Sequence, residues 1–402
     1  MKKILFIVML CCTATQFVAA QKNQISYSNT NNTFQLQVNN GDESTSLTVK
    51  GDVTLGADDK SIEKISPNGS IEYHLKNQSL YVSTADGNTL TYTINGVKKI
   101  NPDANDQALI EQCVKAMIDY GIDANNRVQR IFAKSGTTGV LNEVSRFKSD
   151  YVKEMYLAWL LKNEKVSKDE MVSLLNKTDQ YLSSDYYKSE LLNGVMTSFL
   201  SNDATSDAYL KTVANMKSDY YQYTTINNLL KSALNGKQFD GVLSIVDHMK
   251  SDYYQSEILK NLLNHNTISD EKFTRLMKVV KSMKSDYYKS VILSSLLDNK
   301  DIPNDRYSQT IAAMQGMKSD YYQSEILKKL IDPNIKDESE WSKLIQYAGN
   351  IHSDYYQSEV LMKIADEMPD SPSLKKQLNE AAKKIKSDYY YGRLIRAVDK
   401  QG

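Results

Sequence analysis

The sequence is short of the residues that usually do chemistry. It holds four histidines, His74, His248, His265 and His352, together with three cysteines and two tryptophans. The histidines lie far apart and none stands in a His-Glu-x-x-His pair, so nothing points to a zinc centre or a cluster of imidazole bases. A P-loop, a Gly-x-Ser-x-Gly elbow and a dinucleotide fingerprint are all missing. Ser373 and Lys376 form a Ser-x-x-Lys without companion motifs, a chance match. Since no nucleophile is assembled with a base, the reading is of a non-enzymatic protein without a cofactor or metal; an enzyme of unrecognised type is the remote alternative. An excess of one charge is also lacking. Lys plus Arg equals Asp plus Glu at 49 each, and the signs alternate along the chain, which argues against a nucleic-acid partner or an anionic membrane surface. No apolar run approaches the roughly 20 residues that a transmembrane helix needs.

The first 20 residues read as a secretory signal. Lys2 and Lys3 make a basic start, Ile4 to Cys12 an apolar run too short to span a bilayer, and Val18-Ala19-Ala20 a small-residue cleavage site before Gln21. Cys11 and Cys12 raise a rival reading, lipoprotein processing, but Leu10 is a poor fit to the small residue expected ahead of the modified cysteine. The mature protein is therefore expected to be exported, periplasmic or extracellular. Only Cys113 then remains, which excludes an internal disulfide. It shares a helical face with Leu109, Ile110, Val114 and Met117, so a buried small hydrophobe is the expected role.

Residues 21–100 read as one small domain, and from about Thr33 to Ile100 the apolar residues alternate. Phe34, Leu36 and Val38, then Leu47 and Val49, Val53 and Leu55, Ile71, Tyr73 and Leu75, Leu80 and Val82, and Leu90, Tyr92 and Ile94 form runs of period two. Asn39-Asn40-Gly41, Asn68-Gly69, Asp86-Gly87 and Asn95-Gly96 supply turns between them. The spacing predicts a small antiparallel β domain of five to seven strands, one face covered by the helical segment that follows. Residues 101–145 change to a helical period, with one helix over Ala108 to Met117 and another beginning at Arg127, a linker and N-terminal cap for what comes next.

Residues 146–402 are a repeat. Eight Ser-Asp-Tyr copies place their aspartates at intervals of 35, 34, 33, 34, 34, 34 and 34 residues. A fixed period in this range is the mark of stacked helical hairpins. Ile258, Leu259, Leu262 and Leu263 stripe a leading helix; Phe273, Leu276, Met277, Val280 and Met283 stripe a following one. Tyr307, Ile311, Met314 and Met317, then Trp341, Leu344, Ile345, Ala348 and Ile351, occupy the same places in later copies. The predicted fold is mostly α: an α-solenoid of about eight two-helix repeats of 34 residues. The Trp, Leu-Gly and Tyr signature of tetratricopeptide repeats is absent.

The junction residues have a local explanation. Ser149, Ser184, Ser218, Ser251, Ser285, Ser319, Ser353 and Ser387 are expected to cap the leading helices, each losing about 1 kcal/mol on change to alanine. Asp150, Asp185, Asp219, Asp252, Asp286, Asp320, Asp354 and Asp388 then face the positive end of the helix dipole. A calcium ladder is not expected, because equivalent positions in neighbouring hairpins lie roughly 8 to 10 Å apart and calcium ligands must converge at about 2.3 to 2.6 Å from the ion.

Tyrosine is over-used, 27 against 8 Phe, and 15 of them occupy the motif positions from Tyr151 to Tyr390. Two readings stand. The rings wedge between adjacent hairpins as half-buried seams; or the row Tyr187, Tyr221, Tyr254, Tyr288, Tyr322, Tyr356 and Tyr390 contacts a ligand, either a protein or peptide partner or a glycan chain.

Ile65-Ser66-Pro67-Asn68-Gly69, Tyr92-Thr93-Ile94-Asn95-Gly96, Gly121-Ile122-Asp123 and Phe147-Lys148-Ser149-Asp150-Tyr151-Val152-Lys153 carry a resemblance. The chain resembles the extracytoplasmic region of bacterial BlaR1-like (peptidase M56 family) sensor proteins, in which a small β segment precedes Ser-Asp-Tyr helical repeats. The zinc peptidase of that family lies in a separate membrane-embedded domain. Neither its His-Glu-x-x-His nor its membrane helices occur here, so no catalytic residue carries over. The resemblance implies a sensing or docking role in the bacterial envelope, in line with a scaffold that binds protein or peptide.

Overall fold

The computed structural model describes residues 23–30, 32–40, 43–99, 102–199, 202–265, 269–298 and 307–399. The expected signal segment, with Cys11 and Cys12, lies outside the described residues. The chain divides into two compact units, 1–159 and 160–402.

The first unit begins with nine strands: β1 (Asn23–Thr30), β2 (Thr33–Asn40), β3 (Glu43–Lys50), β4 (Val53–Leu55), β5 (Ile62–Ile65), β6 (Ser70–Leu75), β7 (Gln78–Ser83), β8 (Thr91–Ile94) and β9 (Val97–Lys99). Seven of them form one antiparallel sheet in the order β1-β2-β3-β6-β7-β8-β9, while β4 and β5 pair separately as a hairpin inserted between β3 and β6. Pairing register turns the alternation into two apolar rows across the sheet. Phe34 faces Val49, Val49 faces Ile71, Ile71 faces Val82 and Val82 faces Tyr92; one step along, Leu36, Leu47, Tyr73, Leu80 and Ile94 do the same. Asn95 and Gly96 both take positive φ, 48° and 82°, the geometry of the tight turn that joins β8 to β9.

Helix α1 (Ala104–Asp119) lies against β3 and β7 and closes the apolar face. Its start is fixed by Asp103 and Asp106, which bond each other's backbone N–H as a capping box. Leu109, Ile110, Cys113, Val114 and Met117 are all buried, each contributing on the order of 1 to 3 kcal/mol by leaving water. Burial pushes the Cys113 thiol up to about 12, so it stays a protonated hydrophobe. Helix α2 (Ala124–Val144) is broken at Gly136, whose φ of 59° and ψ of −161° suit glycine alone.

A buried charge cluster ties the β4–β5 hairpin to these helices. Arg127 is buried and donates to both carboxylate oxygens of Asp59 at 3.0 and 2.8 Å, to Glu143 Oε1 at 2.9 Å and to the Tyr156 hydroxyl at 3.0 Å. Asp123, itself at positive φ, accepts from the Leu55 N–H at 2.9 Å. A fork of fixed donors is what makes arginine suited to this place, because each of the three Arg127 guanidinium nitrogens finds an acceptor.

The second unit is a stack of helix pairs. The leading (A) helices are Asp185–Asn193, Asp219–Leu229, Asp252–His265, Asp286–Leu297, Asp320–Leu330, Asp354–Glu367 and Asp388–Asp399. Each packs on the next A helix, and the intervening (B) helices, such as Gly236–His248, Asp270–Ser282 and Glu338–Ala348, pack on the next B helix. Two layers of parallel helices result, repeated helix pairs as the period requires. The striped residues form the core: Ile258, Leu259, Leu262, Phe273, Leu276, Val280, Trp341 and Leu344 are all buried, and Ile311 alone of the predicted stripes is half-buried.

The junction between repeats differs from the capping expectation. The serines do take the extended N-cap backbone, but Ser218 and Ser353 make no side-chain cap bond. In Ser285 and Ser319 the bond stretches to 3.5 Å, the limit of a hydrogen bond. The aspartate does the joining instead. Its carboxylate accepts from the two backbone N–H groups that open the next junction. Asp185 takes those of Lys217 and Ser218 at 2.7 and 2.9 Å, Asp219 those of Lys250 and Ser251 at 2.8 and 2.7 Å, and Asp286 those of Lys318 and Ser319 at 2.7 and 2.8 Å. Asp252 and Asp320 repeat the contact, and Asp354 accepts from the Ser387 N–H at 2.8 Å. A charged acceptor shared by two donors makes a stronger bond than a neutral hydroxyl does.

Two further motif residues complete the junction. Gln222, Gln255, Gln323 and Gln357 are buried, and their amides donate to carbonyls in or just past the last turn of the preceding B helix, for example Gln255 Nε2 to Val246 O at 2.8 Å. Carbonyls at a helix end lack the i+4 backbone donor that those in the interior have. The small Ser256, Ser290, Ser324 and Ser358 return their hydroxyls to the carbonyl one turn back at 2.7 to 2.9 Å.

Asp286→Ala is expected to destabilise the protein by about 1 to 3 kcal/mol, since two N–H groups lose their acceptor. Ser218→Ala is expected to change stability by less than about 0.5 kcal/mol. Urea-unfolding midpoints of the two variants check this, and equal shifts contradict the aspartate clamp.

Candidate functional site

Each A helix presents two adjacent tyrosines in its first turn, after the serine and the aspartate. Successive residues on a helix are turned by about 100°, so the two rings cannot share an environment. The first of each pair, Tyr220, Tyr253, Tyr287, Tyr321, Tyr355 and Tyr389, is 45% to 65% exposed. The second, Tyr221, Tyr254, Tyr288, Tyr322, Tyr356 and Tyr390, is half-buried, as are both Tyr186 and Tyr187. The row expected to contact a ligand is therefore the less exposed one, and the outward row is its neighbour. The reason is the stacking direction: the second ring points along the stack into the seam between A helices, and the first points out of it.

The two rows interlock. Inside a pair the ring centroids are 4.9 to 5.1 Å apart, steeply inclined at 60° to 75°. Between repeats the first ring meets the second ring of the next pair at 5.8 to 6.0 Å: Tyr186 on Tyr221, Tyr220 on Tyr254, Tyr253 on Tyr288, Tyr287 on Tyr322, Tyr321 on Tyr356 and Tyr355 on Tyr390. Every outward ring except Tyr389, which meets Tyr390 alone, is thus held at a steep angle between two inner rings. Such contacts are worth about 0.5 to 1.5 kcal/mol each beyond area burial, and they form an unbroken aromatic ladder from Tyr186 to Tyr390. Both expectations for the tyrosines meet in one device: a seam that packs and an outer row it keeps in place. Tyr223 adds a further ring at 5.3 Å from Tyr254.

Tyrosines off the ladder behave otherwise. Burial pushes the hydroxyl of Tyr209 up, and those of Tyr307 and Tyr347 up to about 12. The Tyr347 hydroxyl donates to the Met314 carbonyl at 3.0 Å across one repeat.

Among the described residues no three His, Cys, Asp or Glu side chains are placed to share a metal ion. His74 meets Glu72 at 2.9 Å on the sheet, His248 Nδ1 meets the Ser244 carbonyl at 2.7 Å, and the ring of His352 stands in solvent. An open depression of about 660 Å³ lies beside the last two helices, lined by Pro372, Lys375, Lys376, Tyr391, Ile395 and Val398. Its exposed lysines are partly committed, Lys375 to Asp370 at 2.8 Å and Lys383 to Glu380 at 2.7 Å.

A double-mutant cycle with Tyr253→Leu and Tyr288→Leu is expected to give a coupling energy of about 0.5 to 1.5 kcal/mol. The pair Tyr253→Leu and Tyr322→Leu, whose rings do not meet, is expected to be additive within about 0.5 kcal/mol. Chemical denaturation reads both, and additivity of the touching pair removes the ladder as a source of rigidity.

No family model matches the chain, and no curated protein matches it. Among solved structures, a chain described as "Computational Design of Self-Assembling Cyclic Protein Homooligomers" aligns with 71% of this chain and 94% of its own length at 10% identity. Its TM-score of 0.13 is too low to carry an argument about fold or function.

Proposed function

We propose that the repeat stack is a non-enzymatic scaffold that binds an extended segment of a protein along its outward tyrosines, and that it works in the bacterial envelope after export. One observation carries the reading: six half-exposed rings, Tyr220, Tyr253, Tyr287, Tyr321, Tyr355 and Tyr389, recur at one helical position. Each of the first five is braced by two neighbouring rings and Tyr389 by one. Bracing matters because ordering a side chain on binding costs about 0.5 to 1.5 kcal/mol, and here the rings are ordered beforehand. Aromatic side chains are also the ones that dominate contact energy at protein interfaces.

The signal-like first 20 residues and the resemblance to the extracytoplasmic part of BlaR1-like sensors support a place in the envelope. A glycan laid on the same rings is the second reading, favoured by the amide ladder along the same helices: Asn228 donates to Asn193 at 3.0 Å and Asn261 to Asn227 at 2.6 Å.

The test compares the wild-type protein with a variant carrying Tyr220→Ala, Tyr253→Ala, Tyr287→Ala and Tyr321→Ala on a peptide array and a glycan array, with circular dichroism to confirm the helices. Retention of peptides by the wild type and their loss in the variant is the expected result. Binding confined to glycans favours the second reading, and equal binding by both proteins contradicts the tyrosine surface.

A further inference from the structure

The final repeat carries a substitution that reveals what the outward face accepts. In each A helix the residue four after the first tyrosine lies on the same face, one turn on. That position holds Glu190, Thr224, Glu257, Val291, Glu325 and Glu359 in successive repeats, and Arg393 in the last. Arg393 does not extend into solvent. Its guanidinium carbon lies 6.0 Å from the centroid of the Tyr389 ring, and its Nη1 meets Glu359 Oε1 of the preceding repeat at 3.2 Å. A ring from one repeat and a carboxylate from the one before thus hold a guanidinium between them, by cation–π attraction and an ion pair.

Two upstream repeats offer the same pair with the guanidinium's place open. Tyr220 is followed on its helix by Thr224 and preceded in the stack by Glu190; Tyr287 is followed by Val291 and preceded by Glu257. Thr224 and Val291 carry no cationic group to pair with Glu190 or Glu257, and the Tyr220 and Tyr287 rings are about half exposed. The ring contacts across these two seams match that at the final repeat, 6.0 Å from Tyr186 to Tyr221 and from Tyr253 to Tyr288, against 5.8 Å from Tyr355 to Tyr390. Glu257 already accepts from Lys260 at 2.6 Å, but a carboxylate has about four lone-pair sites, leaving room for a second donor.

Resting on the tyrosine row as the binding surface, we infer that its ligand is an arginine-bearing extended polypeptide, with guanidinium groups seated at Tyr220–Glu190 and Tyr287–Glu257. The two subsites are two repeats apart. At roughly 8 to 10 Å per helix layer and about 3.3 Å per extended residue, the arginines fall about five or six residues apart. Lysine satisfies the carboxylate but lacks the flat face that stacks on a ring.

The experiment uses the full chain and fluorescein-labelled peptides in a Gly/Ser background, read by fluorescence anisotropy at low salt. One peptide carries two arginines six positions apart, and two others carry lysine or the neutral isostere citrulline in their place. The arginine peptide is expected to bind several-fold tighter than the lysine one and at least about tenfold tighter than the citrulline one. A protein with Glu190→Gln and Glu257→Gln is expected to lose about tenfold in affinity. A second protein with Thr224→Arg and Val291→Arg, which supplies its own guanidinium as Arg393 does, is expected to be blocked while keeping every tyrosine. Equal binding of the arginine and citrulline peptides, no binding of either, or indifference to both double variants overturns the inference. If the citrulline peptide binds as tightly as the arginine one and is lost only when the tyrosines are removed, the row survives as a binding surface without its preference for arginine. If removal of the tyrosines leaves all binding intact, the row itself falls.

Discussion

The stack depends on one contact, the carboxylate that opens an A helix holding the two backbone N–H groups that open the next junction. In a solenoid each repeat touches only its neighbours, so register must be set locally at every interface. Apolar packing alone sets it loosely, because stripes of Leu, Ile and Met can slide by a fraction of a turn at small cost. A charged acceptor shared by two N–H groups 32 and 33 residues onward does not tolerate such sliding. It also explains why aspartate recurs without fail while the residue before each serine varies among lysine, serine and histidine.

Around this clamp the other motif residues take complementary tasks. The glutamine closes the end of the previous B helix, the small serine lets A helices approach, and the tyrosine pair fills the seam and faces outward. The outer rings inherit their spacing from the clamp. A surface whose periodicity is fixed by backbone hydrogen bonds is suited to a ligand that is itself regular, an extended chain, and the rings are held in place before it arrives. The two ends of the junction are thereby linked: the contact that gives the stack its register also gives the tyrosine row its pitch.

Much of the fold was legible because periodicity is a physical signal. Copies of Ser-Asp-Tyr at a near-constant interval require stacked hairpins, and period-two runs such as Leu80 and Val82 face one side of a sheet. Strand β5 escaped notice because Ile62 and Ile65 bracket two charged residues and do not alternate, and β1 because its few apolar residues are diluted by Ser, Asn and Gln. The role of the aspartate was only half legible. Its place at a helix start is local, whereas the N–H groups it accepts from belong to the next repeat, and no single copy of the motif contains both. The same limit misdirected the choice of tyrosine row. A helical wheel places the two rings on opposite flanks of the stripe, but which flank meets the neighbouring A helix is decided by the stacking direction. Arg127 was passed over for a related reason, since its partners Asp59, Glu143 and Tyr156 are brought together only by the fold.

Native-state amide exchange, followed by NMR at the junctions, tests the clamp most directly. In the wild-type protein the amides of Lys318 and Ser319 are predicted to exchange slowly. In Asp286→Ala those two become fast, while Lys250 and Ser251, held by Asp219, stay slow. Unchanged protection at Lys318 and Ser319 after the substitution would contradict the account, because the repeats would then be joined by packing alone.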